Sequence, residues 1–137
     1  MKAYFLAESD QINALAAEVW DNLGSGFTRD VYADAMEMEF EENGIPFKRN
    51  VSVPIYYKDK LLPHSYTADF IVHGKIILCI NAKTNLVETI QREILSMLQA
   101  GRFNLGIYLN YTHKGVFANR VTVGSKFVTS ESLKEAV

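Results

Sequence analysis

The sequence predicts an α/β fold in which helices pack on a mixed β-sheet, and three observations carry the prediction. Apolar residues recur at helical spacing over two N-terminal stretches and again over residues 85–100. Three apolar runs, 47–57, 65–72 and 75–82, are separated by the short turns Lys58-Asp59-Lys60 and His73-Gly74, which makes them an antiparallel meander. A fourth run, 105–111, follows the third helical stretch and can therefore lie parallel to the strand before it. The expected order is helix, helix, three strands, helix, strand, with a further strand or hairpin over 116–128.

The first helix takes Ser9 or Asp10 as its cap and turns Ile12, Leu15, Ala16, Val19, Trp20 and Leu23 inward, ending at Gly24-Ser25-Gly26. Thr28 caps the second, with Val31, Tyr32, Ala35, Met36 and Phe40 inward and Asp34, Glu37, Glu41 and Glu42 outward. Asn43-Gly44 stops it, and Pro46 prevents its resumption. Pro54 marks the first strand as an edge strand or a bulged one. Ile90, Ile94, Leu95, Met97 and Leu98 form the apolar side of the third helix, closed by Gly101. Residues 124–137 read as a polar tail or terminal helix.

The 137 residues are expected to form one domain over their whole length. A hydrophobic content of 48% excludes disorder, and a formal charge of -2 argues against a broad basic surface for non-specific DNA binding. Cys79 is the only cysteine, so no internal disulfide and no cysteine-based zinc site is expected. No apolar run reaches membrane-spanning length, and no signal-peptide core precedes Glu8 and Asp10. The expectation is a cytoplasmic protein that makes no membrane contact.

Several ordered segments share one resemblance. Ile12 to Gly26, the helix through Tyr32, the strand pair around Tyr66-Thr67-Ala68-Asp69 and the run from Leu105 to Tyr111 resemble the GxxExxY family of the PD-(D/E)XK nuclease superfamily. The resemblance implies a restriction-endonuclease-like core and, in its intact form, a metal-dependent phosphodiesterase. Departures fall on the polar positions. The motif that names the family stands here as Gly26-Phe27-Thr28-Arg29-Asp30-Val31-Tyr32, with Arg29 in place of its Glu. Trp20 replaces the His after Glu18-Val19, Cys79-Ile80-Asn81 aligns with the Glu-x-Lys, and Glu93 falls near the family Gln. Asp69 matches the family Asp.

Those exchanges bear on the chemistry that the resemblance implies. Such a nuclease holds a hard divalent ion between carboxylates and uses it to activate water and stabilise charge on the phosphate. A thiol at Cys79 is too soft a ligand for magnesium, and neutral Asn81 lacks the charge of the family Lys. The degenerate site positions are thus Asp69, Cys79, Asn81, Lys83 and Glu93, with Arg29, Asp30 and Tyr32 from the motif. Asp69 alone is a candidate metal ligand, and no cofactor is expected unless substitutes serve. Lys83 can stand in for the missing Lys from one pleat further along, and Glu93 or Asp30 for the missing carboxylate.

Each residue has a plainer reading as well. Asp69 reads as a hydrogen-bonded strand carboxylate, Cys79 as a small buried hydrophobe, Glu93 and Asp30 as helix-surface charges, and Trp20 as core. His64, His73 and His113 lack metal-ligand spacing. Tyr56, Tyr57, Tyr108 and Tyr111, near Lys48, Arg49, Lys58 and Lys60, are candidates for clamping a nucleic-acid strand. Three function classes follow: an inactive nuclease-fold protein that binds nucleic acid or a protein, an atypical magnesium- or manganese-dependent nuclease using Asp69, Glu93 and Lys83, and a pure protein-interaction module. A DNA or RNA partner, a protein partner and a homodimer all stay open.

Overall fold

The computed structural model describes residues 5–82, 87–123 and 129–135. The elements are α1 (Leu6–Leu23), α2 (Arg29–Glu42), β1 (Phe47–Tyr57), β2 (Lys60–Val72), β3 (Ile76–Asn81), α3 (Val87–Gly101), β4 (Leu105–Thr112), β5 (Gly115–Thr122) and β6 (Thr129–Glu135). The predicted order through the fourth strand is the observed one.

Helix α1 begins one turn before its predicted cap. Ser9 is buried inside the helix, where its hydroxyl accepts a hydrogen bond from Arg120 Nη1 at 2.6 Å. The helix ends as its glycines require: Gly24, at φ 69°, donates its N–H to the Trp20 carbonyl. Thr28 sits at the cap of α2, and the Ile45 N–H closes that helix on Phe40 O before Pro46. Val31, expected inward, is exposed. The buried stripe of α2 is Tyr32, Ala33, Met36 and Phe40, and Val31 lies about 100° round the helix from Tyr32.

The six strands form one sheet in the order β1 to β6, antiparallel at every junction except β3–β4. A parallel junction needs a long crossover, and α3 supplies it. One face of the sheet carries α1 and α2, whose Trp20, Tyr32, Met36 and Phe40 pack with Phe70, Leu78, Ile80, Leu109 and Tyr111. On the other face, Ile94, Met97 and Leu98 of α3 pack with Ile71, Ile77 and Tyr108. The alternation along β3 divides its residues between the two cores. No helix among the described residues is long and apolar enough to cross a membrane.

Strand β6 stands where a tail or terminal helix was expected. Residues 129–135 pair antiparallel with β5, and Leu133, partly buried, packs against the core on the α1–α2 face. An edge strand whose side chains are mostly solvated has the composition of a polar tail. Residues 124–128 and 136–137 lie outside the described residues.

Strand β2 also starts earlier than predicted, and this changes the outline of the molecule. It pairs with β1 over nearly its whole length but with β3 only from Phe70 to Val72. The β1–β2 hairpin therefore continues beyond the sheet as an arm. Strand β1 is an edge strand, one of the two alternatives Pro54 suggests, and the register shifts between Pro54 and Tyr56, where the extra residues, Leu62 to His64, lie in β2. At the tip, Lys58 (φ 48°) and Asp59 (φ 64°) both adopt left-handed backbone, as a two-residue turn with the right twist requires. Asn-Gly meets that geometry with less strain. Lys58→Asn with Asp59→Gly should raise stability by about 1 kcal/mol, read as a higher urea midpoint at unchanged slope. An unchanged midpoint would detach the arm tip from the cooperative fold.

Candidate functional site

Beyond the Phe70–Leu78 pair, β2 and β3 separate. The next residue of β2 is Asp69, and its side chain takes over the lost ladder: Oδ2 accepts the Ile80 N–H at 2.7 Å. Opposite it in β1, Asn50 adopts left-handed backbone at φ 53°. Asn is one of the few side chains that tolerates this conformation. The carboxylate thus stands at a fork between strands, 15% exposed.

Arg29, the first residue of α2, reaches over this fork. Its Nη2 donates to Asp69 Oδ1, its Nε donates to the Ile80 carbonyl at 3.3 Å, and its Nη1 pairs with Asp30 Oδ1 at 2.9 Å. Arg29 and Asp69 therefore grip the two sides of one residue, Ile80, and each other. Both carboxylate oxygens of Asp69 are engaged, as are all three guanidinium nitrogens.

The fork opens into a cleft of about 410 Å³ between the sheet and α3. Arg29, Asn50, Thr67, Asp69, Cys79, Ile80, Asn81, Ile90, Glu93, Ile94, Met97 and Tyr108 line it. Asp69, Cys79, Asn81, Glu93 and Arg29 are thus brought together from four elements, as an inherited site requires. A larger hollow of about 730 Å³, between β1 and the C-terminal end of α3, contains none of them.

Chemically the cleft is muted. Burial pushes the Cys79 thiol up to about 12, and the negative charges of Asp69 and Glu93 push in the same direction, so it stays protonated at neutral pH. Asn81 pairs with Asn110 across the parallel junction, its Nδ2 donating to Oδ1 at 3.2 Å. Glu93 stands exposed on α3 at the rim. Among the described residues no group of three or more His, Cys, Asp and Glu side chains is placed to hold a metal ion. With both Asp69 oxygens engaged and a protonated thiol as neighbour, this donor set does not fit magnesium or manganese.

The remaining predicted positions fall elsewhere. Tyr32 is buried in the core on the α1–α2 face, stacked on Tyr111 at 4.1 Å, and its hydroxyl donates to the Gly24 carbonyl at 2.7 Å. It fastens the end of α1 to the start of α2 and so positions Arg29. Asp30 is exposed beside Arg29 and lies outside the cleft lining. Lys83 lies outside the described residues.

Tyr108 and Tyr111, read in sequence as candidates for stacking on bases, are buried, and Arg49 is tied to Asp34 and Glu37 at 2.7 and 3.4 Å. Of that clamp, Tyr56, Tyr57, Lys58 and Lys60 remain exposed on the arm, and Lys48 is exposed near the start of β1. Of the polar cleft residues, Asn50 and Thr67 escaped the sequence reading as site positions, and Tyr108 entered it only as a candidate for stacking on a base. Asn50 carries no local signal beyond being an Asn in a strand. Tyr108 lies beside Cys79 in the parallel register, and its buried hydroxyl has no hydrogen-bond partner among the described residues. Burial pushes its pKa up as well, to about 12.

Comparison with known proteins matches the sequence, over residues 7–121, to the family described as the PD-(D/E)XK nuclease superfamily. That span runs from α1 into β5 and contains every residue of the cleft. No curated protein and no solved structure gives a match.

Proposed function

The chain belongs to the PD-(D/E)XK nuclease superfamily, and from that premise we propose that it is a catalytically silent member, of the GxxExxY type, that acts by binding a partner. One observation carries this reading: the Arg29 guanidinium sits on Asp69, so a tethered cation takes the carboxylate that a divalent ion would need. The rest of the cleft agrees. Cys79 and Asn81 supply neither a second anionic oxygen nor a cation beside the scissile phosphate. Losing one such preorganised electrostatic group typically costs about two to three orders of magnitude in rate. Losses on one step do not add simply, but two or three together leave little turnover.

The distribution of charge favours a protein over nucleic acid as the partner. Between Phe5 and Ile45 there are ten acidic side chains and a single basic one, Arg29. Arg29 is already committed, so the α1–α2 layer and the cleft mouth offer phosphate little attraction. The atypical-nuclease reading retains one point in its favour, that Glu93 lines the same cleft as Asp69.

Incubating plasmid, single-stranded DNA and RNA with magnesium or manganese should give no cleavage. Binding should lack the steep salt dependence that phosphate contacts impose. Cleavage that vanishes in Asp69→Ala would establish an atypical nuclease instead. Cleavage that survives that change would come from another site or from a contaminant.

A further inference from the structure

The molecule is divided electrically, and its exposed apolar side chains divide the same way. The N-terminal helical layer holds the ten carboxylates against one arginine, whereas from Pro46 onward twelve basic side chains face six acidic ones. Helix α2 turns outward a stripe of Val31, Asp34, Met38, Glu41 and Glu42, all exposed, with Met38 61% accessible amid the acids. The outer end of the β1–β2 arm carries the opposite pattern. Tyr56 and Tyr57 are 58% and 61% exposed and Leu61 64%, with Lys58 in the tip turn and Lys60 just after it. Lys58 Nζ stands 5.5 Å from the centre of the Tyr57 ring, and apolar side chains grouped and exposed in this way are the pattern of a contact surface.

The arm tip supplies a second observation. Lys58 and Asp59 occupy left-handed backbone where Asn-Gly has less strain. Strained residues kept at a projecting turn point to a role for their side chains. The root of the arm is anchored on the α3 face through Val53 and Ala68, so its outer end is presented from a fixed base.

We propose that this chain forms a two-fold dimer in which the arm of each copy lies along the α2 stripe of the other, Lys58 and Lys60 against the acidic residues and Tyr56, Tyr57 and Leu61 over Val31 and Met38. The two surfaces are complementary within one sequence: basic with an aromatic and aliphatic centre, acidic with an aliphatic centre. A reciprocal exchange uses both surfaces of both copies and closes on itself, so the assembly stops at two. Residues 52–57 of β1 extend roughly 20 Å, enough to span much of a 14-residue helix about 21 Å long. The dimer does not depend on the cleft being inactive, because none of these residues lines it.

Charge exchange tests the proposal. Sedimentation equilibrium of the full chain should show a dimer at low salt that weakens as ionic strength rises from about 0.05 to 0.5 M, where screening shortens to a few ångströms. Lys58→Glu with Lys60→Glu should give a folded monomer, and so should Glu41→Lys with Glu42→Lys. Mixing the two variants should restore a dimer containing one of each, since both arm–helix contacts regain opposite charges. A variant that had merely misfolded would not recover on mixing. Wild-type protein that stays monomeric at millimolar concentration and low salt would overturn the proposal. So would a dimer indifferent to both pairs of substitutions, or an arm whose lysines govern binding to a polyanion while the chain remains monomeric.

Discussion

Asp69→Ala should lower the stability of the folded protein by about 2 kcal/mol, and Asp69→Asn by about half as much. The reason is structural. In the Ala variant the Ile80 N–H, at the root of the strand fork, loses its acceptor, and a half-buried amide left unpaired costs about 1–3 kcal/mol. The Arg29 pair adds less, because the guanidinium is 44% exposed and water screens it; such pairs contribute roughly 0–1 kcal/mol. Asn keeps an oxygen for the amide and gives up the charge. The sign of the effect separates the two readings of the cleft. Where carboxylates are crowded together to wait for a metal, removing one relieves repulsion and tends to stabilise the protein. Here the carboxylate already has its cation. Urea titrations of the three proteins check this, and an Ala variant at least as stable as the parent would mean that the Arg29–Asp69–Ile80 network holds nothing together.

The architecture was largely legible because its signals are local. Pro54 marked an edge strand, Gly24 and Asn43-Gly44 marked helix ends, and a helix before the fourth strand marked the parallel junction. Where reading failed, tertiary contacts had overridden local pattern. Ser9 looks like a cap because nothing in its neighbourhood reveals Arg120, more than a hundred residues later. Strand β4 is buried on both faces, so Tyr108 and Tyr111 belong to a continuous apolar run and not to a half-exposed surface. Leu61-Leu62-Pro63-His64 lacks alternation, which hid the arm. Alignment with the family placed Arg29, Asp69, Cys79 and Asn81 near one another, and the cleft contains them all. The grip of Arg29 and Asp69 on the Ile80 peptide was not legible, since it depends on where two strands part. The Asn81–Asn110 pair likewise depends on a register set across a helical crossover.

The largest change expected of any variant is the recovery of metal binding. Cys79→Glu with Asn81→Lys rebuilds a Glu-x-Lys beside Asp69, and Arg29→Glu removes the guanidinium and frees Asp69 Oδ1. None of the three suffices alone. Asn81→Lys by itself places an unpaired cation in a half-buried position and breaks the bond to Asn110. Cys79→Glu by itself adds a carboxylate to a cleft that already raises the pKa of the thiol it replaces. Together the new Glu and Lys offset each other, and the Glu gains a donor in the orphaned Tyr108 hydroxyl on the adjacent strand. Binding confined to the folded state stabilises it by about 2.7 kcal/mol at a hundredfold excess over Kd. For a domain of this size that corresponds to a rise in melting temperature of roughly 5–10 °C. Manganese should therefore shift the melting of the triple variant by several degrees and leave the parent unchanged, and Tyr108→Phe in the triple background should reduce the shift. Slow manganese-dependent nicking of plasmid is the expected accompaniment. A folded triple variant with neither shift nor nicking would show that Cys79 and Asn81 are not the counterparts of the Glu and Lys. The kinship would then reach only as far as the sheet and its helices, and the tether from Arg29 to Asp69 would be a structural brace with no lost catalytic centre beneath it.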